Sequence, residues 1–281
     1  MTTSWMIINP RSGSYDADLV EAIEARFAQA GQPIARTIAL GEEDLPDRAA
    51  IEAAGVERIM ILTGDGTVSA LATALEGWGG ELLVLPGGTM NLLAHALHGD
   101  ADAAAIVEGV IAGTARPVAV PIVTSGDITA YAGIVAGPTS AWGDVREDMR
   151  NLDVGALAQS VPRALSATLA EGAMEIDGQA GRYTAVYLEP SNAGVRPFGI
   201  LAEDAGQLVA HGWAWVTGDF RNGPCDPLPV ADELVLRSLD DGSGIDLLVD
   251  GEKAPGTNPM TVRLGRSSLR FLSLLGRADW S

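Results

Sequence analysis

The chain has 281 residues, of which 47% are hydrophobic and 20% are charged, so it is long enough for one large or two ordinary globular domains. The 18 basic and 37 acidic residues give a formal net charge of −19, which disfavours nucleic acid as a partner and repels anionic membranes. The single cysteine, Cys225, excludes an intrachain disulfide and a cysteine-cluster metal site. Without a membrane-spanning apolar run or a secretory signal pattern, the protein is expected to be cytoplasmic.

The first 120 residues alternate between strand-like and helix-like segments. Buried strands are predicted for SWMIINP, PIARTIAL, VERIMILTG and ELLVLPGG. Helices are predicted for SYDADLVEAIEARFAQAG, EEDLPDRAAIEAAG, TVSALATALEG, MNLLAHALH and DADAAAIVEGVIAG. Because the strands are apolar runs separated by helices, they indicate a parallel sheet covered on both faces, which is a Rossmann-like α/β fold.

Beyond residue 120 the predicted segments become short and β-rich, with Gly, Pro, Asp and Asn between them. Strands are predicted for ITAYAGIVAG, GAMEIDGQ, RYTAVYLEP, FGILAED, QLVAHGWAWVTG, ELVLRSL, GIDLLVDGE, PMTVRLG and LRFLSLL. One helix-like stretch, REDMRNLDVGALAQSVPRALSATLAEG, interrupts them. We therefore expect an α/β domain over residues 1–120 and a β-sandwich domain over residues 121–281, with the last segment free to pack back on the first domain.

Three glycine-bearing segments follow predicted strands of the first domain: NPRSGS at 9–14, TGDGT at 63–67 and PGGTMN at 86–91. The carboxyl ends of parallel strands open on one edge of a sheet, so these segments should converge there. Glycine lets the backbone approach an anion closely, and the start of a helix adds amide donors and a positive dipole end. The edge therefore suits phosphate, although each segment alone could be a tight βα turn with Asp65 as an ordinary cap of the following helix.

A Walker-type phosphate loop is excluded, because it needs a lysine just after its glycines and Lys253 is the only lysine of the chain. The phosphate-binding edge must therefore be of another kind.

In this order, the three segments and a distant VDGE at 249–252 resemble the diacylglycerol kinase catalytic-domain family. That family includes bacterial lipid kinases and sphingosine kinases, and its nucleotide domain is similar in fold to NAD kinases. The resemblance covers nearly the whole chain and implies a nucleotide-binding α/β domain followed by a β-sandwich substrate domain. It also implies transfer of the γ-phosphoryl group of ATP to a hydroxyl, usually of a lipid, with Mg²⁺.

The resemblance also implies roles for single residues. Asp65 and Glu252 would hold magnesium. Asp250 is the first candidate, and Asp65 the second, for orienting the acceptor hydroxyl and taking its proton, with Glu252 completing the acid pair. The alternative for Asp250 is an ordinary hairpin turn, since Asp-Gly is a strong turn signal. Nucleotide contacts are implied for Asn9, Pro10, Ser12, Gly13, Gly64, Asp65, Gly66, Thr67, Gly87, Gly88, Thr89 and Asn91.

The sequence departs from the family pattern beside both loops. Ser69 and Ala70 stand where the family commonly has an asparagine-glutamate pair, and Leu92 replaces a common acid. These losses support an alternative, a nucleotide-binding regulator without catalysis. The strong acidity and the lack of an evident membrane anchor support another, a kinase of a soluble alcohol.

Two further groups of residues were considered. His95 and His98 could face one metal, but no third ligand is evident and we expect surface or packing roles. Four arginines near the carboxyl terminus offer a local basic patch for phosphate or a membrane surface, or else a solvated strand face: Arg263, Arg266, Arg270 and Arg277. The sequence does not decide whether the protein makes a peripheral contact with the inner membrane face or whether it forms a homodimer.

Overall fold

The computed structural model describes residues 2–12, 14–88, 90–137, 174–200, 225–239 and 244–278. The helix predicted at 146–172, the strand predicted at 207–218 and two site candidates, Gly13 and Thr89, lie outside the described residues. The chain divides into two compact units, one formed by residues 1–121 with 266–281 and the other by residues 122–265.

The described residues form five helices and seventeen strands. The helices are α1 (Ala17–Gln29), α2 (Arg48–Ala53), α3 (Asp65–Ala74), α4 (Leu92–His98) and α5 (Ala103–Ile111). The strands are β1 (Ser4–Ile8), β2 (Ile34–Ala39), β3 (Arg58–Thr63), β4 (Glu81–Pro86), β5 (Arg116–Val118), β6 (Pro121–Ser125), β7 (Ile128–Ala130), β8 (Ile134–Ala136), β9 (Met174–Ile176), β10 (Ala185–Ser191), β11 (Gly194–Ile200), β12 (Cys225–Pro227), β13 (Glu233–Ser238), β14 (Ile245–Val249), β15 (Glu252–Gly256), β16 (Met260–Arg266) and β17 (Arg270–Ser273). None of the helices in this part of the chain is long and apolar enough to cross a membrane.

The first unit is built on one sheet, whose described strands lie in the order β2-β1-β3-β4-β17-β5. Strands β1 to β4 pair in parallel, as predicted. The sheet is nevertheless mixed, because β17 returns from the end of the chain to lie parallel to β4, and β5 pairs with β17 in the antiparallel direction. The segment LRFLSLL, predicted as a strand, thus contributes Phe271, which is fully buried in this unit.

Apolar spacing explains why α1 forms and how it packs. Val20, Ile23 and Phe27 recur on one face and are buried. Asp16 caps the helix by accepting hydrogen bonds from the amides of the first turn. The second helix is shorter than predicted, because Asp47 caps it at the amide of Ala50 and the residues before it stay outside the helix.

The second unit contains two sheets, with described orders β12-β11-β10-β8-β14-β15 and β7-β6-β16-β13-β9. Alternate residues of both sheets enter one hydrophobic cluster, as expected for strands with one buried face. The cluster draws Val186 and Leu188 from the first sheet and Leu236 and Met260 from the second. This arrangement confirms the predicted fold class, an α/β unit and a β-sandwich unit.

Candidate functional site

The three glycine-bearing segments lie side by side at one edge of the sheet in the first unit. Their strands are neighbours, with Ile8 opposite Leu62 and Leu62 opposite Leu85, so β1, β3 and β4 end at the same level. Asn9 and the residues after it follow β1, the second segment opens α3, and the third precedes α4. The predicted convergence of the segments is therefore present.

Gly87 and Gly88 let backbones pack directly on each other. A Cβ on Gly88 would lie 2.5 Å from the Cα of Gly64, and a Cβ on Gly87 would lie 2.5 Å from the carbonyl carbon of Leu62. Any side chain at either position would force the loop after β4 away from the end of β3. Both glycines are thus required by backbone packing between the two loops, a role that the sequence pattern did not predict.

Asn91 closes the loop after β4 on itself. Its Oδ1 accepts a hydrogen bond from the amide of Gly88 at 2.7 Å, and its Nδ2 donates to the carbonyl of Gly88 at 2.9 Å. Asn91 has a φ of +51°, a left-handed conformation that asparagine adopts more readily than most residues. Asn91 therefore shapes the loop rather than only offering an amide to a ligand.

Ser14 connects the first segment to the same loop. This residue was not among the site residues predicted from the sequence. Its Oγ donates to the carbonyl of Gly87 at 2.7 Å. Ser12 and Ser14 place their hydroxyl oxygens 2.9 Å apart. Since a serine hydroxyl has one proton and that of Ser14 goes to Gly87, the hydroxyl of Ser12 donates to that of Ser14. The side-chain oxygen of Asn9 accepts from the amide of Arg11 at 3.1 Å, which fixes the start of this segment.

Asp65 connects the second segment to the third. Its carboxylate is buried, with 7% of the residue exposed. One oxygen accepts from the amide of Leu92 and the other from the amide of Leu93, both at 3.1 Å. Asp65 therefore caps α4, although it is itself the first residue of α3. The cap considered from the sequence was on the helix that follows Asp65, and that helix instead begins after Gly64.

The helix starts at this edge differ in how they are capped. Asp16 caps α1 by accepting from the amides of Asp18 and Leu19 at one oxygen, and Asp65 caps α4 by accepting one amide at each of its oxygens. The capping residue of α3 is Gly64, which has no side chain to offer. Within the described residues, the start of α3 is thus the helix start at this edge that lacks a side-chain cap. Its amides and positive dipole end suit an anion.

In the second unit, Asp250 and Gly251 form the two-residue turn between β14 and β15. Both have positive φ, +48° and +88°, as a type I′ turn requires. The Asp250 residue is only 5% exposed. Its carboxylate accepts from three consecutive amides, those of Tyr131 at 2.8 Å, Ala132 at 2.7 Å and Gly133 at 2.8 Å. The hairpin turn considered from the sequence is thus present, and the acid also holds a distant loop.

The structure describes the surroundings of the two acids predicted to bind magnesium, Asp65 and Glu252. Among the described residues, no group of three or more His, Cys, Asp or Glu side chains could hold an ion. Each oxygen of Asp65 already accepts an amide hydrogen bond. Glu252 is exposed and belongs to the other unit. The metal roles of Asp65 and Glu252, and the catalytic roles of Asp65, Asp250 and Glu252, stay predictions.

The histidines pack or lie at the surface, as expected. His98 is buried, donates from Nε2 to the carbonyl of Val84 at 3.1 Å, and accepts at Nδ1 from the amide of Leu274 at 3.4 Å. Burial lowers its pKa from 6.5 to about 4, so the ring is neutral at neutral pH. His95 is exposed and places its Nδ1 3.1 Å from the carbonyl of Gly99.

Three of the arginines near the carboxyl terminus, Arg263, Arg266 and Arg270, make contacts within their own units. Arg263 pairs with Glu233 at 2.6 Å. Arg270 donates to the carbonyl of Gly79, and Arg266 to that of Ala119. Contact of these residues with phosphate or a membrane stays a prediction.

The fold defines a two-unit protein, with an α/β unit that carries the glycine-rich edge and a β-sandwich unit. Residues 3–123 match the family model described as the diacylglycerol kinase catalytic domain. The first unit therefore carries a domain of the diacylglycerol kinase family, which confirms the resemblance drawn from the motifs. No curated protein matches the chain.

Solved structures show the same architecture. A diacylglycerol kinase from Bacillus anthracis str. Sterne is 17% identical to the chain, with a TM-score of 0.64 and 96% of each chain covered. Two more structures from that strain, provisionally described as diacylglycerol kinases, are 15% and 17% identical, both with TM-scores of 0.61. They cover 96% of this chain and 96% and 95% of their own. At such identities the likeness establishes the fold.

Proposed function

We propose that the protein is an ATP-dependent lipid kinase that transfers the γ-phosphoryl group to a hydroxyl of a diacylglycerol- or sphingosine-like lipid. The support is the diacylglycerol kinase catalytic domain over residues 3–123, together with the glycine-rich edge that this domain builds. ATP is the donor, and Mg²⁺ enters with it as part of the nucleotide substrate.

One observation carries the proposal. The capping residue of α3, Gly64, offers no side chain, and this helix start lies between two loops that are themselves fixed, by Ser14 on one side and by Asp65 and Asn91 on the other. Phosphoryl transfer requires positioning and charge stabilisation more than covalent help from the protein. A helix start with amide donors, held between two fixed loops, can position the phosphates and can stabilise part of their charge.

The glycine-rich edge is a better phosphate site than the acidic composition suggests. Two carboxylates at this edge, those of Asp16 and Asp65, are both directed at backbone amides, which offset their charge. Arg11, on the first segment, adds an exposed guanidinium that donates to the carbonyl of Gly41 at 3.1 Å. A triphosphate whose charge is partly neutralised by magnesium suits an edge with these offset carboxylates and one exposed guanidinium.

The same structure favours one competing function, a nucleotide-binding regulator without catalysis. The acids predicted for catalysis, Asp65 and Asp250, both use their oxygens to hold backbone amides. Under this alternative the protein binds ATP and transfers nothing. Measurement of binding and turnover on one preparation distinguishes it from the kinase.

The experiment is a transfer assay with γ-labelled ATP, Mg²⁺ and a panel of diacylglycerols and sphingoid bases in mixed micelles. The expected result is a labelled lipid, formed by the wild type and lost in a Gly88→Ala variant, with Gly79→Ala as the control. A Cβ on Gly79 meets nothing within 4 Å. Nucleotide binding without transfer to any lipid would reject the lipid assignment. Label found only on a soluble alcohol such as glycerol would support the soluble-substrate alternative.

A further inference from the structure

The carboxylate of Asp65 forms a connection across the sheet edge that no local sequence pattern requires. Asp65 begins α3, yet its two oxygens accept from the first two amides of α4, which lie 27 and 28 residues further along the chain. The first amides of a helix have no partner inside that helix. Asp65 therefore supplies, from another segment, the cap that α4 does not receive from Asn91, whose side chain bonds to Gly88 instead.

Aspartate suits this position chemically. A carboxylate offers two acceptor oxygens and no donor, so it can receive two neighbouring amides at once. An asparagine would place its NH₂ group against one of those amides, and donor would face donor. A negative charge at a helix start is also favoured by the helix dipole. Both properties of the aspartate contribute here: its two acceptor oxygens bind the two amides, and its negative charge interacts favourably with the helix dipole.

The connection fixes the loop that precedes α4. At its first residue, Gly87, this loop is held by Ser14. At its middle it is closed by Asn91 on Gly88. At its end, the amides of Leu92 and Leu93 are held by Asp65. The loop is thereby anchored to both neighbouring segments of the glycine-rich edge.

We propose that Asp65 is a positioning residue of the nucleotide site, which holds Gly87, Gly88 and Asn91 in place through the start of α4 and does not act as a ligand of the nucleotide's metal. The inference rests on the proposed nucleotide site. It follows from the direction of the carboxylate, since both oxygens face helix amides and the residue is 7% exposed. It also assigns the phosphates to the start of α3, because the start of α4 is already occupied by a carboxylate.

The test compares Asp65→Asn with a matched control, Asp16→Asn. Asp16 also accepts from two helix amides at this edge, but those amides belong to its own helix and both bind one oxygen, which an asparagine retains. Binding of an ATP analogue is measured by calorimetry with Mg²⁺ and with EDTA. We expect Asp65→Asn to weaken binding roughly tenfold in both conditions, with the enhancement by Mg²⁺ unchanged, and Asp16→Asn to weaken it less than about threefold, as expected for loss of a positioning contact alone. A variant that keeps wild-type affinity in EDTA and loses the Mg²⁺ enhancement would overturn the proposal and make Asp65 a metal ligand.

Hydrogen exchange on the wild type keeps the proposal testable even if the variant does not fold. The amides of Leu92 and Leu93 should exchange slowly before nucleotide is added, and the amide of Gly66, at the start of α3, should exchange quickly and become protected by nucleotide. Fast exchange at Leu92 and Leu93 would overturn the proposal whether or not nucleotide binds. Slow exchange there in a protein that binds no nucleotide would instead leave the connection intact and reject the proposed function.

Discussion

Asp250 and Gly133 hold each other through two hydrogen bonds of opposite direction. The amide of Gly133 donates to the Asp250 carboxylate at 2.8 Å, and the amide of Asp250 donates to the carbonyl of Gly133 at 2.9 Å. The amides of Tyr131 and Ala132 also donate to that carboxylate. The turn between β14 and β15 is thus locked to the loop between β7 and β8 by the carboxylate and the amide of Asp250, and the groups that they bind in that loop all belong to the backbone.

This relationship predicts that Asp250→Asn destabilises the second unit. Asparagine keeps the left-handed turn, since Asn-Gly suits type I′ turns. Its one acceptor oxygen can keep the amides of Ala132 and Gly133, but its NH₂ group would then face the amide of Tyr131. We expect a loss of about 2 kcal/mol in the free energy of unfolding, measured by urea denaturation. Glu252→Gln, at an exposed position, is the control and should stay within about 0.5 kcal/mol. Unfolding of Asp250→Asn at the wild-type midpoint would mean that the carboxylate does not hold the loop.

Gly88→Ala should damage the glycine-rich edge more than an ordinary surface substitution would. The new Cβ would lie 2.5 Å from the Cα of Gly64, a backbone atom that cannot rotate away. We expect a destabilisation of roughly 2 kcal/mol and a loss of nucleotide binding, since overpacking typically costs about 1–3 kcal/mol. Gly79→Ala, which meets open space, should change neither quantity. Equal stability and affinity in both variants would show that the two loops do not pack as closely as described.

His98 predicts a specific dependence of stability on pH. Its pKa is lowered from 6.5 to about 4 by burial, so between these values the unfolded chain binds the proton and the folded protein does not. Its contribution is therefore complete above about pH 6.5 and is lost as the pH falls towards 4, by roughly 3 kcal/mol in total.

The check on His98 is a comparison of unfolding free energies from pH 7 to pH 4. His98→Gln, which can still donate to the carbonyl of Val84, should show a shallower loss of stability than the wild type over this range. His95→Gln, at an exposed position, should follow the wild-type curve. If His98→Gln and the wild type lose stability in parallel, the buried ring does not govern the acid sensitivity.

The sequence predicted the fold where local patterns determine structure. Apolar spacing gave α1 with Val20, Ile23 and Phe27 inside, and continuous apolar runs gave the parallel strands β1 to β4. It overestimated α2, because a helix pattern began before the capping residue Asp47. It also predicted a parallel sheet, whereas β17 and β5 make the sheet mixed. The return of the last segment to the first unit was left open, since nothing around Phe271 indicates its place in the sheet.

The sequence predicted where the candidate site lies, but it did not predict the hydrogen bonds that hold the site together. Strand ends on one side of a parallel sheet must converge, so the three segments could be placed together from the sequence. The partners of Asp65 lie 27 and 28 residues away, and those of Asp250 lie 117 to 119 residues away. Such pairings depend on tertiary packing. A carboxylate that serves a remote backbone has the same sequence signature as one that serves a ligand.

The most direct test of the central claim, that the glycine-rich edge of the first unit holds a triphosphate, is a crystal structure with Mg²⁺ and a non-hydrolysable ATP analogue. The account predicts phosphate oxygens against the amides at the start of α3 and beside Gly87, Gly88 and Asn91, with Asp65 still bonded to Leu92 and Leu93. A nucleotide bound elsewhere, or an Asp65 carboxylate turned from those amides to the metal, would contradict it.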